Sequence, residues 1–303
     1  MRKPAWATVL CVACGFAQYA HAQNRQEQQF ESVYAPPELA GEEQGTNEGG
    51  VNLDLHANYL TDYIWRGIDR SASSGTEDSP NSQVEGAIKW DVGKWPHPFV
   101  GVFTNVNDSD PLSRFQEIRP YFGLELTARP IIFTVGHTNY IFPDRDDFNT
   151  AELWAQIKLD DSYFFRTDDP VLSPYVFAAY DYDTNHGLYV EFGISHDFEI
   201  EDTPLTITPR ACFAYVNDNK QFRTEGTPPG DPGFNHGTTG PDSGFQHYEF
   251  GVEATYRMNE LLNVPSRYGD INLKGYLFYT DGIDDDLRAD TELWGGIGIG
   301  FHY

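Results

Sequence analysis

Nine acidic residues (Asp54, Glu85, Asp91, Glu117, Glu125, Glu152, Glu191, Glu249 and Glu253) and seven basic ones (Arg66, Lys89, Arg119, Lys158, Arg210, Arg257 and Lys274) occur in stretches where polar and apolar residues alternate. A period of two places the polar members of each stretch on one face of a strand. Charges lining one face of many strands suit two kinds of chemistry. They can wet a passage for ions and polar solutes, or pair with one another and lock an interior shut. Nine against seven is close to balance, so this face as a whole favours neither cations nor anions strongly.

Other chemistries find little support. There is no G-x-S-x-G elbow, no phosphate-binding P-loop and no H-E-x-x-H pair. Asp181-Tyr182-Asp183-Thr184-Asn185 opens like a calcium loop, but Gly187 comes one place late and no glutamate follows at the twelfth position. A polar hairpin tip is the expectation there. Asp281, Asp284, Asp285 and Asp286 crowd another connection and could hold divalent cations weakly, although a solvated loop is the simpler reading. The nine histidines show no ligand spacing. No catalytic residue, metal or cofactor is therefore expected, and the chain reads as a non-enzyme. An outer-membrane lipase would need a serine–histidine pair on the outer barrel wall.

Strands must position these charges. The first is predicted over 51–65, with Val51, Leu53, Leu55, Ala57, Tyr59, Tyr63 and Trp65 opposing Asn52, Asp54, His56, Asn58, Asp62 and Arg66. Ten more are predicted over 83–92, 100–106, 117–126, 131–142, 152–159, 174–180, 188–197, 205–215, 248–257 and 271–280. The facings of 131–142 and 174–180 are left open. The last, 293–303, sets Leu293, Ile297, Ile299, Phe301 and Tyr303 against Trp294, Gly296, Gly298, Gly300 and His302, with Gly295 interrupting. Twelve is even, as in bacterial single-chain outer-membrane barrels. Pro120, Pro174 and Pro209 each fall near a strand start, where a missing donor is tolerated. A soluble sandwich would also alternate. It would not call for an aromatic C-terminus, nor for Tyr63, Trp65, Tyr140, Phe142, Tyr215, Tyr248 and Tyr279 near strand ends, where a membrane barrel keeps its aromatic girdles.

Composition narrows the class. Of 303 residues, 15% are aromatic and 28 are glycine, and no run of about 18 apolar residues exists to form a transmembrane helix. Residues 1–22 read as a secretory signal, with Arg2 and Lys3, an apolar core and the Ala20-His21-Ala22 cleavage site. Cleavage removes two of the 20 basic residues and none of the 46 acidic ones, taking the net charge from −26 to −28. That charge argues against nucleic acid and anionic membrane surfaces as partners. Cys212 is the one cysteine of the mature chain and makes no internal disulfide. Residues 23–50, rich in Gln, Glu, Gly and Pro, are expected to be disordered. Odd-numbered connections should face outside and be longer; 67–81 and 218–245 are the longest and both fall in that set.

Thr61-Asp62-Tyr63-Ile64-Trp65-Arg66-Gly67-Ile68-Asp69-Arg70-Ser71 resembles the S-D-Y-x-x-R-G-x-S-x-S opening of the TorF-like porin family of outer-membrane β-barrel proteins, with Thr61 and Asp69 replacing serines. Tyr140-Ile141-Phe142-Pro143 followed by Asn149-Thr150-Ala151-Glu152-Leu153 resembles that family's tyrosine–proline loop and T-G-E-like strand, with Ala151 where glycine is usual. Gly187-Leu188-Tyr189-Val190-Glu191 fits as well. The resemblance spans the mature chain in scattered motifs. It implies an outer-membrane location and passive diffusion of small hydrophilic solutes.

The expectation is thus an all-β chain whose residues 51–303 form a closed antiparallel up-and-down barrel of twelve strands, in contact with outer-membrane lipids, the barrel assembly machinery and small solutes. Excess acid in the outer loops (Asp108, Asp110, Asp144, Asp146, Asp147, Asp181, Asp183 and Asp284 to Asp286) would give a mild cation preference. The alternative is a non-conducting structural or adhesive barrel. Phe301 and Tyr303 are the expected C-terminal assembly signal. Replacing both by serine should abolish insertion and leave export intact; normal levels of folded mutant in the membrane would refute that role.

Overall fold

Residues that alternate large apolar with polar, separated by short polar turns, satisfy their backbone groups best by pairing as strands. The computed structural model describes residues 50–71, 80–107, 117–143, 146–223 and 243–303. Among these are twelve long strands: β1 (Val51–Leu60), β2 (Asn81–Trp90), β3 (His97–Asn107), β4 (Glu117–Ala128), β5 (Ile131–Tyr140), β6 (Thr150–Leu159), β7 (Tyr175–Asp181), β8 (Gly187–Ser195), β9 (Leu205–Asn217), β10 (Ser243–Arg257), β11 (Asp270–Gly282) and β12 (Glu292–His302). Each pairs antiparallel with the next, and β12 returns to β1 from Asp54↔His302 to Leu60↔Gly296. The ring is therefore closed and leaves no open sheet edge, the condition for a strand protein to stand in hydrocarbon. The signal peptide expected at 1–22 lies outside the described residues, as do the segment expected at 23–50 (apart from Gly50) and Asp108, Asp110 and Asp144.

Side-chain facing settles what kind of barrel this is. Within β6, Glu152 is 4% exposed while its neighbour Leu153 is 57% exposed. The same inversion holds for Lys89 against Val84, Glu125 against Leu124, and Lys274 against Leu273. A soluble sandwich would bury the apolar parity; here the apolar parity faces out all around the ring. Such a belt needs lipid as its solvent, and no described helix is long and apolar enough to cross a membrane instead. This is an outer-membrane-type β-barrel. The strands of open facing resolve as well. Thr138 and Tyr140 of β5, and Phe177, Ala179 and Asp181 of β7, point into the barrel.

Several expectations need correction. The first strand stops at Leu60 instead of running to Trp65, because the chain then turns into the lumen. Tyr63, Trp65, Tyr140 and Phe142 are therefore buried at 0–4% exposure and are not girdle residues. Tyr215, Tyr248 and Tyr279 keep the outward parity of their strands, and further aromatics stand at the opposite rim: Trp95, and Tyr163, Phe164 and Phe165 of a one-turn helix (Ser162–Phe165), all exposed at the end that carries Val51 and Tyr303. That helix, and a second one at Asn259–Leu262, lie in the connections from β6 to β7 and from β10 to β11. Asp91 keeps the inward parity but lies past the end of β2, in an exposed turn beside His97 at 3.4 Å, and is not a lumen residue.

Candidate functional site in the barrel lumen

The stretch 61–71 that reads as the end of a strand forms a hairpin inside the barrel. Ile64 pairs with Asp69 and Trp65 with Ile68. Arg66 and Gly67 form the tip, with φ of 51° and 73°. Two successive left-handed residues make the turn whose twist suits a two-residue hairpin. Gly67 is required on a second count, since a Cβ there would stand 2.6 Å from the His247 ring. The base of the hairpin is fixed by Arg70 N–H donating to Tyr63 O (2.8 Å), Tyr63 N–H to Ser71 Oγ (3.0 Å) and Ser71 N–H to Asp69 Oδ1 (2.7 Å).

Its two arginines meet the barrel wall. Arg66 donates to Glu152 through its two terminal guanidinium nitrogens, at 2.9 and 2.8 Å, and Tyr140 donates to the same carboxylate at 2.7 Å. Arg70 and the Tyr63 hydroxyl both donate to Glu117, at 2.8 and 2.9 Å, and Arg119 lies 3.1 Å from that carboxylate. Between the two guanidinium groups lies Trp65, 3.7 Å from Arg70 and 4.6 Å from Arg66 by ring centroid. Trp65 stacks on Phe222, Phe222 on Tyr189, and Arg66 covers Tyr189 at 4.5 Å.

The far side of the hairpin is held by backbone contacts. A bulge in the pairing of β10 with β9 turns both Gln246 and His247 inward. Gln246 then donates to Arg66 O at 2.9 Å and to Arg288 O at 2.7 Å. Asp290 accepts from Asp69 N–H (2.8 Å) and donates its own N–H to Gly67 O (2.7 Å). Asn107 donates to Ser71 O. Strands β3, β4, β6 and β10 and the 283–291 connection thus grip one hairpin.

The inward charges expected from the alternation are placed inside and largely paired. Lys89 meets Glu125 at 3.0 Å, Arg210 meets Glu249 at 3.3 Å and Lys274 meets Glu253 at 3.5 Å. Glu191 accepts from Tyr175 and Tyr189, each at 2.6 Å. Asp54 is buried opposite His302, while Glu85, Lys158 and Arg257 are half-buried on their strands. Asp281 accepts from Tyr248, Thr291 and Gly282 N–H, and Asp284 from Asp286 N–H, so these acids shape their own loop. Asp181 accepts from Thr150 and Asn185, the polar tip expected there.

Sequence reasoning missed the hairpin and its partners Gln246, Asp290 and Phe222. Arg66-Gly67 was the available signal, since a glycine ending a clean alternation marks a turn. The aromatic parity of Tyr63 and Trp65 masked it.

One hairpin carboxyl, outside the spanning strands, is displaced. Burial pushes Asp69 up to about 6, against the pull of its Ser71 hydrogen bonds, with Asp62 and Asp290 adding to the rise. A seated hairpin therefore holds this proton more tightly than a released one, whose carboxyl titrates near about 3.9. The sign follows from linkage. Seating is favoured at low pH and weakens as pH rises through about 6. If hairpin release opens the barrel, open probability in bilayers should rise from pH 4 to pH 8 and flatten in Asp69→Asn. An unchanged pH profile in that variant would remove Asp69 from the mechanism.

The closed ladder, apolar exterior and charged interior define an outer-membrane β-barrel whose lumen carries a seated hairpin. No protein family matches the sequence, and no curated protein does either. Among solved structures the chain is similar to the NanC porin (TM-score 0.44, 10% identity, 82% of this chain and 98% of that one). It is also similar to an outer-membrane channel from Pseudomonas putida F1 (TM-score 0.47, 6% identity, 88% and 100%) and to LpxR from Salmonella typhimurium (0.44, 11%, 82% and 99%).

Proposed function

We propose that this protein is a porin-like channel for small hydrophilic solutes, closed in the conformation described and opened by withdrawal of the 63–70 hairpin. The observation that carries this reading is the chemistry of the wall behind the hairpin. Glu117, Arg119, Thr150, Glu152, Asp181 and Asn107 are groups that water can solvate once the hairpin leaves. A permanent plug would be expected to rest on an apolar wall, as cores do. The likeness of 61–71 to the opening of the TorF-like porins falls on this same hairpin, and it supports the same family and role. Export by the 1–22 signal, insertion through the Phe301 and Tyr303 strand and a non-enzymatic role belong to the same proposal.

Selectivity would be set at the mouth, because the charges within the wall are paired. Loop acids act within a Debye length, about 10 Å at 0.1 M salt and 3 Å at 1 M. Single-channel recording should show a mild cation preference at low salt that nearly vanishes at molar salt. Asn replacements at Asp284, Asp285 and Asp286 should weaken it. A preference that survives molar salt would place selectivity in the lumen instead.

One observation favours the second reading, a closed structural barrel. Rings run across the interior from Phe99 to Trp154 (6.1 Å), Phe177 (6.0 Å) and Tyr189 (6.3 Å), on to Phe222 and Trp65. If the part of this stack from Phe99 to Phe222 persists without the hairpin, no current will flow.

A further inference from the structure

Where the first and last strands close the ring, three possible metal ligands converge. Asp54 and His56 lie two apart on β1 and share its inward face. His302 of β12 stands directly across from Asp54, and Gly300 across from His56. One donor atom from each of Asp54, His56 and His302 lies within 4.8 Å of the other two. His302 Nδ1 bonds Asp54 Oδ1, while Asp54 Oδ2 is buried without a hydrogen-bond partner among the described residues. Gly300 keeps the space between the rings open. A Cβ there would stand 3.0 Å from His56 Nδ1 and 3.8 Å from His302 Nε2. On β11, Asp270 pairs with His302 from the other side and also buries an oxygen, Oδ1, without a hydrogen-bond partner.

We propose that Asp54, His56 and His302 form a binding site for a first-row divalent ion of the zinc or copper type, bridging the seam of the barrel. Two imidazoles and one carboxylate are a donor set such ions favour, whereas calcium and magnesium demand more oxygen ligands. Bonds of about 2.0–2.2 Å place an ion's ligand atoms roughly 3–4 Å apart, which small side-chain turns reach from this cluster. His302 is partly exposed, with 31% of its side chain accessible, so the site is open to solvent at the end that carries Val51 and Tyr303. An ion there would tie β1 to β12, strands that no covalent link joins. Asp54 and His56 are near neighbours in the chain, whereas the third ligand lies far along it and only ring closure brings it near. A second grouping, Glu191, Cys212 and His247, carries less, because its glutamate is already taken by two tyrosines and His247 Nδ1 by Gln246.

The test uses untagged, refolded full-length protein in detergent, treated with chelator. Zn²⁺ alone is titrated by calorimetry, and Cu²⁺ alone is followed by electron paramagnetic resonance. The expected result is one ion per chain, with nitrogen splitting from two imidazoles for Cu²⁺ and no comparable uptake of Ca²⁺ or Mg²⁺. Affinity should fall roughly tenfold or more in His56→Ala and in His302→Gln. It should fall likewise in Gly300→Ala, which keeps every ligand and fills the space between them. Cys212→Ser and His137→Ala should bind as the parent does. Zn²⁺ should raise the temperature at which the folded band is lost on gels for the parent but not for His302→Gln. No saturable binding by the parent would overturn the site, as would binding that survives in His56→Ala/His302→Gln. Loss of binding in Cys212→Ser would move the ion to the other cluster and overturn the site equally.

Discussion

A chain in which residues 63–70 are replaced by a short Gly-Ser linker will insert, shift on heating as a folded barrel does, and conduct more than the intact protein. The hairpin holds Tyr63, Ile64, Trp65, Arg66, Ile68 and Arg70 at 0–3% exposure inside the ring. Its removal empties that space and bares Glu117, Arg119 and Glu152, charges that draw water in. Barrels of about eight strands are filled by their own side chains and those of sixteen leave a channel, so twelve strands stripped of an internal loop have room for a narrow one. Conductance per barrel should rise by roughly tenfold or more over the intact chain, since the twelve-stranded lumen then loses its main obstruction. A variant that folds and still passes no current would show that the stack from Phe99 to Tyr189 seals the barrel, and the structural reading would stand.

The second large effect is expected from Arg66→Ala. Arg66 and Glu152 are side chains with 2% and 5% exposure, joined by two hydrogen bonds. Removing one partner of such a buried pair costs roughly 3–5 kcal/mol, because the other charge is left without compensation. Here the barrel can relieve that cost by letting the hairpin go and water reach Glu152. At about 1.4 kcal/mol per decade, the ratio of released to seated hairpin should rise by roughly two to three and a half decades. Open probability reads that ratio directly. The double variant Arg66→Ala with Glu152→Ala removes both charges and should open less often than Arg66→Ala alone. Equal opening in the single and double variants would mean that the pair does not hold the hairpin.

Much of the architecture was legible in the residues because a barrel strand writes its facing as a period of two. Val84 against Lys89, Leu153 against Glu152 and Ile297 against Trp294 are each opposed in the sequence and in space. Apart from the bulge at Gln246 and His247 the ladders are regular, so alternation and an even strand count carried through to twelve paired strands. Alternation was silent on which parity meets solvent. Exposure of Leu153 and Leu277 in the fold decided between membrane barrel and soluble sandwich.

The hairpin and the seam site could be decided only in three dimensions. Tyr63 and Trp65 continue the alternation of β1, and nothing local distinguishes a strand that ends in lipid from one that turns inward. The turn is set by what the tip meets. Glu152 lies 86 residues from Arg66 and Gln246 lies 180 away. His302 likewise reaches Asp54 across 248 residues. Local pattern fixes which face a side chain presents, whereas its partner across a closed ring depends on register and closure, which no short stretch of sequence contains.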